Sequence, residues 1–275
     1  MAVRWTFVGR TGELARIDSL IAAGTGVLIL GEPGAGKTAL ARRAEELIGA
    51  RMPVGHVVGH AVSNGAPFEA FAGVLTAADS SVLTAIEVAG RVADMLGRPA
   101  RALFVVDDAQ LLDERSAQVL LQLAADGAVT VLATARDLEL PAGVRRLWRD
   151  GWCERIELAA LTGDEVQELL ETVLDAPVDS AVARAFASRS QGNPLLLREL
   201  VSAALDASTL VWHGTAWKLA GEPPISSGVR ELVRSRLAAL PAERRSALEL
   251  VAAGEPLALP IAMELIGEPV LDELD

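Results

Sequence analysis

The stretch "GVLILGEPGAGKTALARRAEELI", from Gly26 to Ile48, decides the fold. Its first five residues, Gly26–Leu30, form an apolar run that is too short for a helix and therefore predict a buried strand. A glycine-rich loop follows, and Thr38–Ile48 has the spacing of a helix. The loop fits the pattern G-x-x-x-x-G-K-[ST] from Gly31 to Thr38, which is typical of a strand–loop–helix unit that binds phosphate.

The glycine loop predicts a nucleotide site with a bound metal ion. Glycines let backbone N–H groups approach phosphate without Cβ clashes, and the helix directs its positive end at the same anion. We expect Lys37 to reach the outer phosphates and act in catalysis, and the Thr38 hydroxyl to bind Mg²⁺. Lys37 and Lys218 are the only lysines in the chain, which favours a chemical role for Lys37. The expected cofactors are ATP or ADP with Mg²⁺, held at the loop by Glu32, Pro33, Gly34, Ala35, Gly36, Lys37, Thr38 and Ala39.

Two carboxylates follow another apolar run, in the segment "LFVVDDAQ". Asp107 is predicted to lie at the carboxyl end of a strand, where a parallel sheet binds its ligands, and to contribute to the metal shell. Asp108 is predicted to orient the water that attacks the outer phosphate. A structural role for either aspartate, as the cap of a helix that starts near Leu111–Glu114, is the alternative.

A third apolar run, "VLATAR", ends at Arg136. We expect its guanidinium to contact the γ-phosphate and so to distinguish ATP from ADP, since it pairs with the added charge. Thr134 is a candidate for positioning water. The alternative for Arg136 is an ordinary surface arginine at the end of a strand.

The strand candidates alternate with helical segments in the first 160 residues. They are Gly26–Leu30, Val54–Val62, Ala102–Gln110 and Val129–Arg136, and they are apolar nearly throughout. This pattern predicts an α/β fold, with a parallel sheet covered by helices on both faces. After residue 160 the pattern becomes helical, starting with a capping box at Thr162 and Glu165 and including a small hairpin near residues 209–219.

Composition limits the classes of function. The chain of 275 residues has no apolar run of membrane-spanning length, lacks the apolar region of a signal peptide and contains one cysteine, Cys153. These features favour a cytoplasmic protein with no membrane partner. A net charge of -12 makes this chain a poor non-specific binder of nucleic acid, because two polyanions repel each other.

Five motifs resemble a known family. "FVGRTGELARI", "GEPGAGKTAL", "LFVVDDAQLLD", "VLATAR" and "QGNPLLLREL" occur in the order found in STAND-class P-loop ATPases. More narrowly, they resemble the ATPase region of large ATP-binding LuxR-type transcriptional regulators, from about Phe7 to the C-terminus. The resemblance implies a P-loop nucleotide-binding domain (1–160), a helical lid with a small hairpin (161–222) and an incomplete winged-helix domain (223–275). It implies an N-terminal fragment that reaches DNA only through a C-terminal region absent from this chain.

The same resemblance assigns the adenine pocket. It implies that Phe7, Val8, Gly9 and Arg10 line the base, and that a glycine–proline motif at Gly192–Pro194 closes over it, with Pro194 in contact. From the residues alone, this second segment indicates only a turn followed by a helix.

Two functions are compatible with these features. The first is a slowly hydrolysing regulatory switch, in which the ATP or ADP state controls conformation or self-association. The alternative is a remodelling ATPase of the AAA+ type that acts as an oligomeric ring. A remodeller needs an arginine supplied by a neighbouring subunit and substrate-gripping pore loops, and no aromatic pore-loop pattern appears beside the second strand. The rate of steady-state turnover separates the two.

Overall fold

The structure is a computed structural model. It describes residues 5–59, 67–75, 83–96, 101–136, 140–222, 224, 227–238 and 240–253. The chain divides into two compact units. The first comprises Met1–Arg198 with Trp212–Lys218, and the second comprises Glu199–Val211 with Leu219–Asp275.

A five-stranded parallel sheet forms the centre of the first unit, in the order β2-β3-β4-β1-β5. The predicted parallel sheet is therefore confirmed. The strands are β1 (Gly26–Leu30), β2 (Val54–Val58), β3 (Ala102–Asp107), β4 (Val129–Ala135) and β5 (Cys153–Glu157).

Three strands end earlier than predicted, β4 by one residue only, at Ala135 instead of Arg136. β3 stops at Asp107 because Asp108 adopts a left-handed backbone, with φ 52°, and a 3-10 turn at Ala109–Leu111 follows. β2 ends at Val58 instead of Val62, and residues 60–62 lie outside the described residues. The early end of β3 turns the chain just beyond the carboxylate at Asp107.

Helices cover both faces of the sheet, as predicted. Along β1, Val27 and Ile29 pack into one core with α1 and α2, while Leu28 and Leu30 pack into the other with α3, α4 and α5. This alternation follows from the two-residue period of a strand. The helices are α1 (Thr11–Ala23), α2 (Lys37–Ile48), α3 (Ala85–Met95), α4 (Glu114–Ala125) and α5 (Ala142–Arg149).

The helix α5 has no counterpart in the sequence interpretation. Its first N–H group, at Ala142, donates to the Glu114 carboxylate at 3.0 Å, across a separation of 28 residues. Because the cap is supplied from another helix, the local sequence carries no start signal for α5.

Cys153 begins β5 beside Gly26 of β1. A Cβ atom at Gly26 would lie 2.6 Å from the Cys153 Sγ, so glycine is required for this close approach of the two strands. The thiol is buried, and burial raises the pKa of Cys153 to about 12.

The segment after β5 is helical, and its predicted start is confirmed. Thr162 and Glu165 form the capping box of the first helix. The elements here are α6 (Gly163–Leu174), α7 (Ser180–Ser190), α8 (Pro194–Asp206) and the small hairpin of β6 (Leu210–Trp212) and β7 (Trp217–Leu219).

Two further helices, α9 (Ser227–Ala238) and α10 (Ala242–Ala253), belong to the second unit. The winged-helix domain expected at 223–275 stays a prediction, because residues 254–275 lie outside the described residues. Over the described ranges, no helix combines the length and the apolarity needed to cross a bilayer.

Candidate nucleotide-binding site

The phosphate loop connects β1 to α2 and has a backbone that glycine makes possible. Gly34 and Gly36 have φ of 83° and 95°, in the left-handed region that side chains disfavour. Gly36 is also the N-cap of α2, and having no side chain it cannot cap the first N–H groups. These N–H groups therefore face the loop as donors for an anion.

Lys37 is buried at the start of α2. Its Nζ donates to the carbonyl oxygens of Gly31 at 2.7 Å and Glu32 at 2.9 Å, which holds the ammonium against the loop. Burial lowers the pKa of Lys37, and the nearby Arg136 guanidinium lowers it further, while the Asp108 carboxylate opposes both effects. Two cations that repel each other across a phosphate loop form a site that a bound anion would stabilise.

Three elements bring oxygen atoms together beside this lysine. Thr38 in α2 and Thr134 in β4 both donate to the Asp107 Oδ1 at the end of β3, at 2.9 Å and 2.5 Å. Mg²⁺ prefers hard oxygen ligands at about 2.0–2.1 Å in octahedral geometry, which places neighbouring ligands about 2.9 Å apart. Thr38 and Asp107 fit two such positions.

Thr38 and Asp107 would occupy two positions around such a cation. Phosphate oxygens and water would fill the others, which is how Mg²⁺ usually binds.

Asp108 is fixed by its neighbours. Its N–H donates to the Thr134 Oγ1 at 3.0 Å, and its carboxylate accepts from the Gln110 Nε2 at 2.8 Å. The capping role considered for Asp108 is filled by Asp113, whose side chain accepts from the first N–H groups of α4. Asp108 therefore remains beside Lys37 without a capping task.

Arg136 follows the end of β4, with an exposed side chain. Its backbone N–H donates to the Gln110 Oε1 at 3.1 Å. Its guanidinium lies close enough to Lys37 to lower the pKa of that residue. Contact with the γ-phosphate, and an effect on water at Thr134, stay predictions.

The start of α8 contacts the phosphate loop directly. The Asn193 Nδ2 donates to the Pro33 carbonyl at 2.9 Å, and the Leu195 N–H donates to the Gly34 carbonyl at 3.3 Å. The Asn193 Oδ1 also accepts from the N–H of Leu195 at 3.1 Å, so one side chain caps the helix and holds the loop. Pro194 lies beside Gly36, where an added Cβ would be 3.9 Å from its Cγ. Its contact with adenine stays a prediction.

The segment Phe7–Arg10 has a constrained backbone. Gly9 and Arg10 both have positive φ, and the buried Arg10 donates to the Ala159 carbonyl at 2.5 Å and the Glu13 carboxylate at 3.0 Å. Phe7 and Val8 are half-buried. Adenine binding by these residues stays a prediction.

The structure brings together Lys37, Thr38, Asp107, Asp108 and Arg136, all named from the sequence. The sequence interpretation did not include Gln110 or the contact of Asn193 with the loop. The sequence carries a signal for Asn193 as the N-cap of α8, since asparagine before a proline that opens a helix is a common N-cap, but that signal does not extend to its contact with the loop. Gln110 had no such signal, because its partners depend on the turn at Asp108.

Comparison with known proteins identifies the nucleotide-binding part. Residues 6–133 match the sequence model of the AAA ATPase domain. The fold is similar to that of the Aeropyrum pernix ORC1 protein in complex with DNA, with a TM-score of 0.60, 19% identity, and coverage of 89% of this chain and 72% of that one. It is also similar to the Thermotoga maritima RuvB Holliday junction branch migration motor, with a TM-score of 0.50, 18% identity, and coverage of 95% and 83%.

No curated protein matches the chain in sequence. At these identities the solved structures establish the fold and nothing further about activity. Together with the loop, the two strand ends and the parallel sheet, they show that the chain has the fold of P-loop NTPases, and the part of it that matches the AAA ATPase domain model is residues 6–133.

Proposed function

We propose that this chain is the ATP-binding, slowly hydrolysing switch module of a LuxR-type transcriptional regulator, whose ATP or ADP state controls conformation or assembly. One observation carries the proposal. The start of α8 donates hydrogen bonds to the carbonyls of Pro33 and Gly34 in the phosphate loop. A loop that rearranges around phosphates would alter these contacts, and the helix would respond.

The residues for slow hydrolysis lie around the same loop. Lys37 and Arg136 supply positive charge for the phosphates, and Asp108 supplies a carboxylate that orients a water molecule. Mg²⁺ held by Thr38 and Asp107 would neutralise charge on the phosphate oxygens.

A ring-forming remodeller is the alternative, favoured by the likeness to the RuvB motor. We expect a remodeller of this kind to grip its substrate with exposed aromatic side chains near the second strand. Phe68 and Phe71 follow β2 in the sequence, but both are buried in the core, with exposures of 1% and 2%. They are therefore unsuited to gripping a substrate, which supports the switch.

The proposal gives DNA contact to a region other than this chain. The ORC1 structure contains DNA, but this chain has a net charge of -12, which opposes contact with a polyanion. We propose that nucleotide and a second copy of the chain are its direct partners, in the cytoplasm.

Steady-state turnover with and without DNA or a protein substrate tests the proposal. A switch should hydrolyse well below ~1 s⁻¹, the lower end of common enzyme rates, and should not be stimulated. Hydrogen exchange at the start of α8 should slow when Mg–ADP binds protein freed of nucleotide. Rapid, substrate-stimulated turnover would favour the ring motor, and unchanged exchange in α8 would remove the basis of the switch.

A further inference from the structure

Gln110 connects two candidate functional residues that the sheet brings to one edge. The Gln110 Nε2 donates to the Asp108 Oδ1 at 2.8 Å, and its Oε1 accepts from the Arg136 N–H at 3.1 Å. The amide fits in one orientation only, since the flipped amide would place donor against donor and acceptor against acceptor. Both the nitrogen and the oxygen of the Gln110 amide are therefore hydrogen-bonded.

This bridge determines where the Asp108 carboxylate lies. The backbone at Asp108 is left-handed, with φ 52° and ψ 51°, and its N–H is held by Thr134. With the backbone fixed, the carboxylate still rotates about its own side-chain torsions. The hydrogen bond from Gln110 selects one of those rotations.

The same bridge holds the start of the chain beyond β4. β4 ends at Ala135, so the ladder of the sheet no longer fixes Arg136. The Gln110 Oε1 accepts the first N–H beyond the strand and sets the position from which the Arg136 side chain extends. A shift at either strand end is thereby passed to the other.

We propose that Gln110 is a positioning residue for hydrolysis of a nucleoside triphosphate, acting through Asp108 and Arg136. This rests on the proposed ATPase function. In the reaction, the oxygen of a water molecule forms a bond to the γ-phosphorus. The bond from that phosphorus to the bridging oxygen breaks with its electrons on the leaving diphosphate, and a water proton passes to the Asp108 carboxylate. Gln110 holds this carboxylate and the Arg136 guanidinium on the same side of the γ-phosphate.

The two ends of Gln110 can be tested separately. Gln110→Met keeps the length of the side chain and removes both hydrogen bonds. Gln110→Glu keeps an acceptor for the Arg136 N–H but replaces the donor to Asp108 with a repelling carboxylate. Both variants should lower kcat at least tenfold, with the Kd for Mg–ADP within about twofold of wild type. Only Gln110→Met should also reduce the preference for a non-hydrolysable ATP analogue over ADP.

A matched control exists in α4. The Gln122 Nε2 donates to the Asp126 Oδ1 at 2.8 Å, which is the same pair of groups at the same distance, away from the site. Gln122→Glu and Gln122→Met should leave kcat and both affinities at wild-type values.

The measurements separate this proposal from the function on which it rests. If wild type hydrolyses ATP and the Gln110 variants match its kcat, the positioning role is wrong while the ATPase function stands. A loss of kcat accompanied by an equal loss of Mg–ADP affinity would indicate a merely structural glutamine and also overturn it. A wild-type protein that binds Mg–ATP without any hydrolysis would overturn both.

Discussion

The phosphate loop is held on two sides, and the two sides differ in charge and in their origin along the chain. On one side the buried ammonium of Lys37, from the loop itself, donates to Gly31 and Glu32. On the other side the neutral amide of Asn193, from 160 residues away, donates to Pro33. We call these the cation side and the lid side.

Their energies should differ accordingly. A hydrogen bond from a charged donor contributes roughly 1.5–3 kcal/mol, whereas a neutral one contributes roughly 0.5–1.5 kcal/mol. We therefore expect the cation side to determine the affinity for nucleotide. We expect the lid side to determine whether nucleotide binding changes α8. A switch needs both kinds of contact: a strong one on the cation side that binds the nucleotide, and one on the lid side that is weak enough to break and form again.

The largest effect is expected from Lys37→Ala. The loss of charge-assisted contacts to two phosphates, at roughly 1.5–3 kcal/mol each, should weaken ATP at least ~100-fold while the fold is retained. Calorimetric titration and circular dichroism measure affinity and fold. Lys218→Ala, which removes the other lysine of the chain from an exposed position, is the control and should bind normally. Normal ATP affinity in a folded Lys37→Ala protein would contradict the cation side altogether.

The second effect concerns selectivity within the cation side. Arg136→Ala should weaken a non-hydrolysable ATP analogue more than ADP, by roughly 1.5–3 kcal/mol, because one charge-assisted contact to the γ-phosphate is lost. Arg146→Ala serves as control, since Arg146 of α5 pairs with Asp150, the residue just after the end of that helix. An equal loss for both nucleotides would reduce Arg136 to a general electrostatic role.

The third test separates the lid side from the loop backbone. Gly34→Ala and Gly36→Ala both place a side chain at positive φ and share that strain, roughly 1–2 kcal/mol. At Gly34 the added Cβ would overlap the lid, 2.7 Å from the Asn193 Oδ1 and 2.8 Å from the Leu195 Cβ, whereas at Gly36 it would lie in ordinary contact, 3.9 Å from the Pro194 Cγ.

In protein without nucleotide, hydrogen exchange at Leu195 and Leu196 should therefore be about tenfold faster in Gly34→Ala than in Gly36→Ala. Equal exchange in the two variants would mean that the lid does not rest on Gly34.

The smallest effect is expected at Asn193. Asn193→Asp keeps an acceptor that caps α8 but removes the donor to Pro33, so it isolates the loop contact at roughly 1 kcal/mol. Asn193→Ala removes both.

The measurement is the rise in Tm when Mg–ADP is added to nucleotide-free protein. At about 100 times its Kd, the ligand should add roughly 2.7 kcal/mol and several degrees to wild type. A smaller slowing of exchange in α8 should accompany Asn193→Asp. Wild-type slowing in that variant would argue that nucleotide reaches α8 by another contact.

The contrast between the two sides also explains what the sequence could predict. Lys37 and Thr38 follow one another in a loop whose geometry is local, and Asp107 ends an apolar strand, so their meeting follows from a parallel sheet. Arg136 beside Lys37 was foreseeable for the same reason. Gln110 was not, because its reach depends on the left-handed turn at Asp108, which a non-glycine residue rarely adopts.

The lid contact and the start of α5 could not be predicted from the sequence for a different reason. Asn193 meets Pro33 only after the chain between them has folded, and Ala142 takes its cap from Glu114. Interactions of this kind depend on tertiary packing. Periodicity and capping patterns, which describe neighbours in sequence, carry no information about them.

The reactivity of Cys153 can report how often the sheet opens. The thiolate is the reactive form of cysteine, and the pKa of about 12 leaves almost none of it at pH 8 in the folded protein. Unfolding returns the pKa to its ordinary range and should raise the reactive fraction roughly a thousandfold. With one cysteine in the sequence, each molecule can be labelled once, so the rate of modification by a thiol reagent counts openings between β1 and β5 without any introduced probe.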